Sequence, residues 1–315
     1  MHARESTTRS YDFGWILLLG VLWGTPYALT KISLQSIPPL TLVTARVAVA
    51  AAVLWFVAIV MRRRIPASWR FAGRISIQGM LSCVAPYTLL AFGQQTVDSG
   101  LAAVLNSTAP LFVCLINFLW TQHEKLTPRK ILGVTSGFVG VTAIAGTTAL
   151  AGLGGQVPGQ TMIVLAAISS AMSAIHGRRF ESIAPEVVAA GTLTAAAIML
   201  LPFALFLEEP WRLSPSASSL AALLINAVAA TALGFVIYFR LLRTIGSVGT
   251  ASTSYLKPAV GVLIGILLLG ETFTWSFVVA LGAILFGLVA INSERRDVPP
   301  NAVGRGKDQI TVPGL

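Results

Sequence analysis

The sequence has few charged residues. Lys, Arg, Asp and Glu together make up 11% of its 315 residues, whereas soluble domains carry about 25%. Because the surface of a globular domain needs polar residues to face water, this shortage excludes an ordinary soluble domain. Apolar residues reach 55% and the mean hydropathy is +0.78, which also excludes an intrinsically disordered chain. The composition is typical of a membrane protein.

Cysteine, histidine and enzyme motifs are also scarce. The two cysteines, Cys83 and Cys114, lie in apolar runs, so we predict small hydrophobic side chains and no disulfide framework. The chain has three histidines and no spacing typical of metal ligands. It lacks the GxSxG, HExxH and Walker motifs, and it has no GxGxxG after a strand. The sequence therefore predicts no enzyme, no metal site and no cofactor.

Long apolar runs, in contrast, are abundant. A helix needs about 20 apolar residues to cross a bilayer core of about 30 Å, and ten stretches reach that length. The first begins near Phe13 and lacks a cleavage site, so it is predicted to be a membrane span and not a signal peptide. The weakest division, near Thr244–Gly246, separates the eighth and ninth spans. The predicted spans are 13–33, 40–61, 71–93, 99–120, 129–149, 159–178, 185–207, 217–239, 247–270 and 274–292.

The basic residues are distributed unevenly between the loops. A topology with the N-terminus in the cytoplasm places 18 of the 22 Lys and Arg residues on the cytoplasmic side, as the positive-inside rule requires. The net charge of +10 is thus explained by topology, and we expect no nucleic-acid partner. The opposite side holds only Lys31 and Arg212, and two cations, Arg46 and Lys257, lie inside predicted spans.

The chain contains an internal repeat. The segments Tyr87–Pro110 and Phe235–Pro258 have the same length, and each ends at a proline in the middle of a span. We predict two halves of five helices, 1–150 and 151–293, followed by a flexible tail at 294–315. Because five is odd, the second half enters the membrane in the opposite direction. Inverted repeats are a recurring plan of secondary transporters, with a central site between the halves.

Several short motifs occur in a fixed order across the two halves. Over 13–293 the chain resembles the EamA-type transporters of the drug/metabolite transporter superfamily. The resemblance implies an all-α polytopic protein with ten transmembrane helices and both termini in the cytoplasm. It also implies export or exchange of small metabolites, often amino acids, across a bacterial-type inner membrane. The motifs that carry it are Trp23–Gly24–Thr25, Ile37–Pro38–Pro39, Ala45–Arg46, Ser99–Gly100, Pro110–Leu111–Phe112, Glu124–Lys125–Leu126–Thr127, Ala230–Thr231–Ala232–Leu233, Tyr255–Leu256–Lys257–Pro258 and Gly270–Glu271.

Arg46 and Lys257 are the strongest candidates for substrate binding. A cation in the hydrocarbon region costs several kcal/mol, so intramembrane cations commonly face a wet cavity. Each has a structural alternative. Arg46 lies about 9 Å below the membrane surface and could snorkel, and Lys257 could bind carbonyl groups freed by Pro258.

Aromatic, small polar and proline residues inside the spans complete the candidate site. Aromatic rings could line a cavity or simply pack between helices, and small polar residues serve either purpose. The prolines remove backbone hydrogen bonds, which indicates either breaks beside a cavity or packing kinks. The predicted substrate-binding residues are Trp23, Tyr27, Arg46, Tyr87, Asn106, Ser254, Tyr255 and Lys257, and the predicted hinges are Pro26, Pro86, Pro110 and Pro258.

Carboxylates are missing from the predicted membrane interior. Glu124 and Glu271 fall at span ends and are predicted to cap loops or to pair at a gate. Proton antiporters usually carry an intramembrane carboxylate, so its absence favours uniport or exchange. The GxxxG motif at Gly133–Gly137 is predicted to tighten helix packing.

The leading hypothesis from the sequence is an inner-membrane exporter of small metabolites that works by alternating access. An aromatic cavity with a cation suits aromatic or hydrophobic amino acids. An anion exchanger for phosphorylated metabolites or nucleotide sugars is the alternative within transport. A membrane sensor without transport is less well supported, because the tail is its only extramembrane element. The expected partners are a small-molecule substrate and the lipid bilayer, and the sequence is compatible with a monomer.

Overall fold

The computed structural model describes residues 2–66, 68–97, 102, 105–121, 127–151, 156–260 and 275–292. Within these ranges the regular structure is entirely helical and contains no strand. This agrees with the all-α fold class that the apolar runs predict and the family resemblance implies. The predicted tail, together with Glu124 and Glu271, lies outside the described residues.

The longer α-helices are interrupted by short π-helical and 3₁₀ segments. π-Helices occupy Met80–Val84, Asn226–Leu233 and Asn117–Thr121, and a 3₁₀ segment occupies Ser252–Tyr255. The α-helices are α1 (His2–Gly24), α2 (Pro26–Ser33), α3 (Pro39–Val60), α4 (Trp69–Gly79), α5 (Ala85–Thr96), α6 (Ala109–Ile116), α7 (Pro128–Ala151), α8 (Val157–Gly177), α9 (Pro185–Glu208), α10 (Ala217–Ile225), α11 (Gly234–Thr244), α12 (Gly246–Ala251) and α13 (Trp275–Asn292).

Among the described residues, six helical stretches are long and apolar enough to cross a membrane. Their bounds match the first, second, third, sixth, seventh and eighth predicted spans to within a few residues at most ends. Helices α7 and α13 occupy the fifth and tenth predicted spans, and the fourth and ninth are only partly described. The six stretches are Asp12–Ser33, Pro39–Val60, Trp69–Thr96, Val157–Phe180, Pro185–Glu208 and Ala217–Thr244.

Two of these stretches correspond residue by residue. Trp69–Thr96 and Ala217–Thr244 both have 28 residues, and their starts differ by 148 positions, as do Pro110 and Pro258. A serine caps each start, since the Ser68 hydroxyl accepts from the Phe71 N–H and the Ser216 hydroxyl from the Ser219 N–H. Each stretch also contains a π-helix. The repeat predicted from the prolines therefore extends to caps and helix breaks in these two stretches.

Helix pairing follows a regular pattern between the two parts of the chain. Helix α3 packs against α9, and α7 packs against α13. Helix α5 packs against α8, and in the corresponding contact α10 and α11 pack against α2 and α1. When corresponding helices of the two parts are interchanged, the first two pairings stay the same and the last two replace each other. The main buried core contains side chains from both parts, including Val47, Leu193 and Tyr255.

The ends of several segments are set by proline and glycine. Pro26, Pro86 and Pro110 occupy the first turn of α2, α5 and α6, the part of a helix in which proline is most common. Pro258 follows the 3₁₀ segment that ends at Tyr255. Gly246 has φ +80°, a conformation that favours glycine. It separates α11 from α12 at the division that the sequence indicates least clearly.

Glu208 provides a distant cap for α3. Its two carboxylate oxygens accept the backbone N–H groups of Leu40 and Thr41 at 2.9 and 2.6 Å. These donors belong to the first turn of α3, which has no partner of its own for them. A carboxylate at this position also interacts favourably with the helix dipole.

We expect Glu208→Ala to lower the free energy of unfolding by about 2 kcal/mol, because it leaves these N–H groups without an acceptor. Thermal unfolding in detergent would measure the loss. Glu209→Ala is the matched control, since Glu209 makes a surface ion pair with Arg212 and should cost less than about 1 kcal/mol. Equal losses in both variants would contradict the capping role.

Candidate functional site

A central cavity lies between the helices of both parts of the chain. Its empty volume is about 810 Å³, a figure that includes space open to solvent. Seven of the eight predicted binding residues, all except Tyr255, line it. The lining residues are Trp23, Pro26, Tyr27, Arg46, Ser82, Pro86, Tyr87, Leu90, Asn106, Ala109, Ser170, Ser173, Ala174, Phe235, Tyr238, Thr250, Ala251, Ser254 and Lys257.

Arg46 is held in place at the cavity wall by two contacts. Its guanidinium carbon lies 4.2 Å from the centre of the Tyr87 ring. Its Nε donates to the Thr231 hydroxyl at 2.6 Å, and that hydroxyl donates to the Asn226 carbonyl at 2.9 Å. The π-helical stretch makes this last bond possible by bringing residues five apart into register. The Arg46 side chain is therefore oriented through Nε, which leaves its terminal nitrogens for other acceptors.

Lys257 occupies a similar environment in the other half. Its ammonium group lies 5.4 Å from the centre of the Trp23 ring. The Trp23 indole N–H donates to the Ala230 carbonyl at 3.0 Å, again on the π-helical segment. Gly234 permits this approach, since a Cβ there would lie 2.5 Å from the indole nitrogen. Among the described residues, Lys257 has no hydrogen-bonding or carboxylate partner.

Polar side chains connect the aromatic wall to the broken helices. The Asn106 amide donates to the Tyr27 hydroxyl at 2.8 Å, and both residues are buried. The Ser107 hydroxyl donates to the Ser254 carbonyl at 2.9 Å. The two segments that precede Pro110 and Pro258 therefore contact each other directly beside the cavity.

Three predicted site residues lie outside the cavity wall. The Tyr255 hydroxyl donates to the Val134 carbonyl at 3.0 Å, and its ring packs against Gly137 of α7. The structure thus places Tyr255 between helices, as the packing alternative anticipated. Pro110 and Pro258 are likewise absent from the lining, whereas Pro26 and Pro86 belong to it.

The sequence analysis missed several lining residues. Tyr238 lies inside the predicted eighth span, 217–239, but the sequence analysis did not select it, and the structure places it on the cavity wall. Its ring packs at 5.3 Å from Trp23 and 5.9 Å from Phe235. An in-span tyrosine was therefore an available signal. Ser82 and Ser173 carried none, because small polar residues are common wherever membrane helices pack.

The electrostatics of the cavity define its chemistry. Arg46 and Lys257 are about 6% and 9% exposed, and no Asp or Glu occurs among the described lining residues. Buried charges are costly unless a partner compensates them. A cavity with two cations and no carboxylate is therefore suited to a ligand that carries a negatively charged group. Its rings (Trp23, Tyr87 and Phe235 among them) provide apolar surface for the rest of that ligand.

Long apolar helices around a central cavity that contains buried cations are typical of multi-pass membrane transporters. The family comparison agrees with this class. The EamA-like transporter family matches residues 13–146 and 157–293, and the chain belongs to that family. The match covers both parts of the chain in the same order as the repeat predicted from sequence.

Curated relatives are similar over most of their length. The uncharacterized inner membrane transporter YedA of Escherichia coli strain K12 is 26% identical over 280 residues, which cover 89% of this chain and 90% of that protein. The probable amino-acid metabolite efflux pump of Salmonella typhimurium is 29% identical over 287 residues, covering 86% and 91%. Both are named as transporters and neither is named as an enzyme.

A solved crystal structure of another protein has the same fold. It superposes with a TM-score of 0.73 at 20% sequence identity, covering 88% of this chain and 96% of the other. At this identity the likeness concerns the fold alone. The two proteins therefore share a fold although their sequences are only weakly similar.

Proposed function

We propose that this transporter exports or exchanges small metabolites that carry a carboxylate, with aromatic and hydrophobic amino acids as its leading substrates. The observation that carries the proposal is the pair of cavity cations, Arg46 and Lys257, without a carboxylate partner among the described residues. A substrate carboxylate would complete this arrangement through charge-assisted hydrogen bonds. The efflux pump of Salmonella typhimurium, named for amino-acid metabolites, supports the same substrate class.

The other walls of the cavity fit the rest of such a substrate. Trp23, Tyr87, Phe235 and Tyr238 offer ring faces and edges to an apolar or aromatic side chain. The amide of Asn106 and the hydroxyl of Ser254 supply polar atoms for an ammonium group. Hydrogen-bonding groups and rings thus occur together with the cations, as recognition of an amino acid requires.

We further propose ten spans arranged as two inverted five-helix repeats, 1–150 and 151–293, with both termini in the cytoplasm of a bacterial-type inner membrane. The constant offset of 148 between Trp69–Thr96 and Ala217–Thr244 supports the repeat. The distribution of Lys and Arg supports the orientation, and the name of the Escherichia coli relative supports the inner membrane. Transport by alternating access at the repeat interface follows from such symmetry.

Purified protein in liposomes tests the substrate class. Vesicles loaded with labelled aromatic amino acids should release them faster than protein-free vesicles, with and without an imposed pH gradient. A panel that adds aliphatic amino acids, phosphorylated sugars and nucleotide sugars serves as the comparison. Release of another solute class without release of any amino acid would reject the amino-acid assignment.

Exchange of anions such as phosphorylated metabolites is the second candidate. Two cavity cations without a carboxylate give the described lining a formal charge of +2, which suits a ligand with more than one negative charge. An amino-acid zwitterion would compensate only part of that charge. The ratio of amino-acid to phosphate-ester release in the liposome panel separates the two candidates.

Charge reversal at Lys257 gives a specific prediction. We expect Lys257→Glu to abolish carboxylate or anion release, a loss of at least about 100-fold, because it turns attraction into repulsion inside the membrane. Lys31→Glu is the control, since Lys31 lies in the last turn of α2 and outside the cavity lining. An unchanged release rate for Lys257→Glu would remove Lys257 from the binding site.

A further inference from the structure

Two buried amide side chains occupy corresponding positions in the stretches Trp69–Thr96 and Ala217–Thr244. Gln78 and Asn226 are separated by 148 positions, the same offset that relates Trp69 to Ala217 and Pro110 to Pro258. Both side chains are fully buried. Gln78 lies two residues before the π-helix Met80–Val84, and Asn226 is the first residue of the π-helix Asn226–Leu233. Buried amides at matched helix breaks indicate a shared role.

Gln78 ties three helical segments together. Its Nε2 donates to the hydroxyls of Ser82 at 2.9 Å and Ser173 at 3.0 Å, and approaches the Ser173 carbonyl at 3.3 Å. Because a carbonyl can only accept, this contact fixes the orientation of the amide. Its Oε1 therefore accepts from His176 Nδ1 at 2.8 Å. Both amide atoms of Gln78 are satisfied.

The same cluster reaches the cavity. Ser82 and Ser173 line it, and the Ser173 hydroxyl lies 3.3 Å from the hydroxyl of Tyr238, another lining residue. The cluster of Gln78, Ser82, Ser173 and His176 is called the Gln78 latch below. It joins α4 and the following π-helix to α8, the first span of the second half.

Asn226 makes the corresponding connection much more weakly. Its Nδ2 reaches the Thr30 hydroxyl on α2 at 3.4 Å, and α2 belongs to the first span of the first half. Its Oδ1 is buried and has no hydrogen-bond partner among the described residues. The Asn226 carbonyl accepts from Thr231, which also accepts from Arg46. Asn226 and Thr30 are called the Asn226 latch.

The two latches are in different states. The Gln78 amide has partners at both of its polar atoms, although Nε2 of His176 in the same latch has none among the described residues. The Asn226 amide, at the equivalent position of the repeat, retains one long bond and an unsatisfied oxygen. An unsatisfied buried polar atom is destabilising, so its presence calls for an explanation. In the proposed orientation, Gln78 lies toward the cytoplasmic end of the cavity and Asn226 toward the opposite end.

We propose that Gln78 and Asn226 are positioning residues that close the two ends of the cavity alternately. In the conformation described here the Gln78 latch is closed and the Asn226 latch is loose, and the opposite state would engage Asn226 and release Gln78. This inference rests on the proposed alternating-access function. The π-helices beside each amide supply the local adjustment, because π-bulges in helices frequently occur at functional sites.

Thiol labelling tests the two latches directly. The background is the full-length chain with Cys83→Ala, Cys114→Ala and a reporter cysteine at Ala109, which lines the cavity. A membrane-impermeant maleimide is applied to right-side-out and inside-out vesicles. The measured quantity is the ratio of the cytoplasmic to the external labelling rate. This ratio requires no knowledge of the substrate.

Gln78→Leu is expected to raise the ratio about fivefold, and Asn226→Leu to lower it about fivefold, since each removes hydrogen bonds that favour one closed end. The double variant should return the ratio close to that of the parent. Shifts in the same direction, no shift in either variant, or a double variant that follows only one parent would overturn the proposal. A folding defect alone would not produce opposite shifts.

Gln94→Leu is the matched control. Gln94 is a buried glutamine in the same 28-residue stretch, and both of its amide atoms lack hydrogen-bond partners among the described residues. Its replacement should leave the ratio unchanged, and a shift equal to that of Gln78→Leu would overturn the latch.

If the liposome panel shows no amino-acid release while the opposite shifts persist, the substrate assignment fails and the latch stands.

Discussion

Arg46→Ala is expected to lower kcat/KM for substrate release by about 100-fold. The guanidinium group would bind the substrate carboxylate through charge-assisted hydrogen bonds, each worth about 1.5–3 kcal/mol. Loss of about 2.7 kcal/mol corresponds to a factor of about 100. Initial release rates at several internal concentrations of a labelled aromatic amino acid would measure the effect in liposomes.

Two further variants make the result specific. Arg46→Lys keeps the charge but loses the bond from Nε to the Thr231 hydroxyl, so we expect a loss of about tenfold. Arg240→Ala is the matched control, because Arg240 also lies over an aromatic ring, that of Trp15, but outside the cavity lining. It should remain within about twofold of the parent. Folded Arg46→Ala protein with near-normal release would exclude Arg46 from the binding site.

Gly287→Ala is expected to destabilise the protein by about 3 kcal/mol. A Cβ at Gly287 would lie 2.5 Å from the Gly133 carbonyl oxygen and 2.8 Å from the Gly137 N–H nitrogen. Both atoms belong to the backbone of α7, so no side chain can move aside to relieve the clash. The two helices would have to separate along their contact, which loses packing over many atoms.

The expected change in apparent Tm is a decrease of about 10 °C, measured by thermal unfolding in detergent. Gly282→Ala is the control on the same helix, since a Cβ there meets nothing within 4 Å. Alanine is the better helix former, so this variant should be neutral or slightly stabilising. The same substitution thus has opposite expected signs five residues apart, and equal effects would contradict the packing role of Gly287.

The contact between α7 and α13 shows how far a sequence motif can be extended by structure. The GxxxG motif predicted that Gly133 and Gly137 would tighten a helix pair, and the structure gives the partner as Gly287. A motif identifies the helix face that permits close approach, because only small residues allow it. Which helix lies against that face depends on contacts distant in sequence.

Much of the cavity could likewise be anticipated. Arg46 and Lys257 were singled out because a cation in hydrocarbon is costly wherever it lies, and both line the cavity. Tyr255 was selected for the same reason as Tyr27 and Tyr87, namely an aromatic ring inside a predicted span. Its hydroxyl, however, donates to the Val134 carbonyl between helices. A difference of one helical turn or less decides which way a side chain points, and periodicity in a nearly uniformly apolar span does not define that angle.

The sequence by itself determined the membrane class, the approximate bounds of most described helices, the repeat offset and the two intramembrane cations. These features can be inferred from composition and spacing, because the length of an apolar run and the cost of a buried charge do not depend on which helices pack together. The tertiary structure alone decided that the cations lie over Tyr87 and Trp23, that Tyr238 completes the wall, and that Gln78 and Asn226 differ in bonding. Such relations join residues more than 40 positions apart, and only the packing of whole helices brings them together.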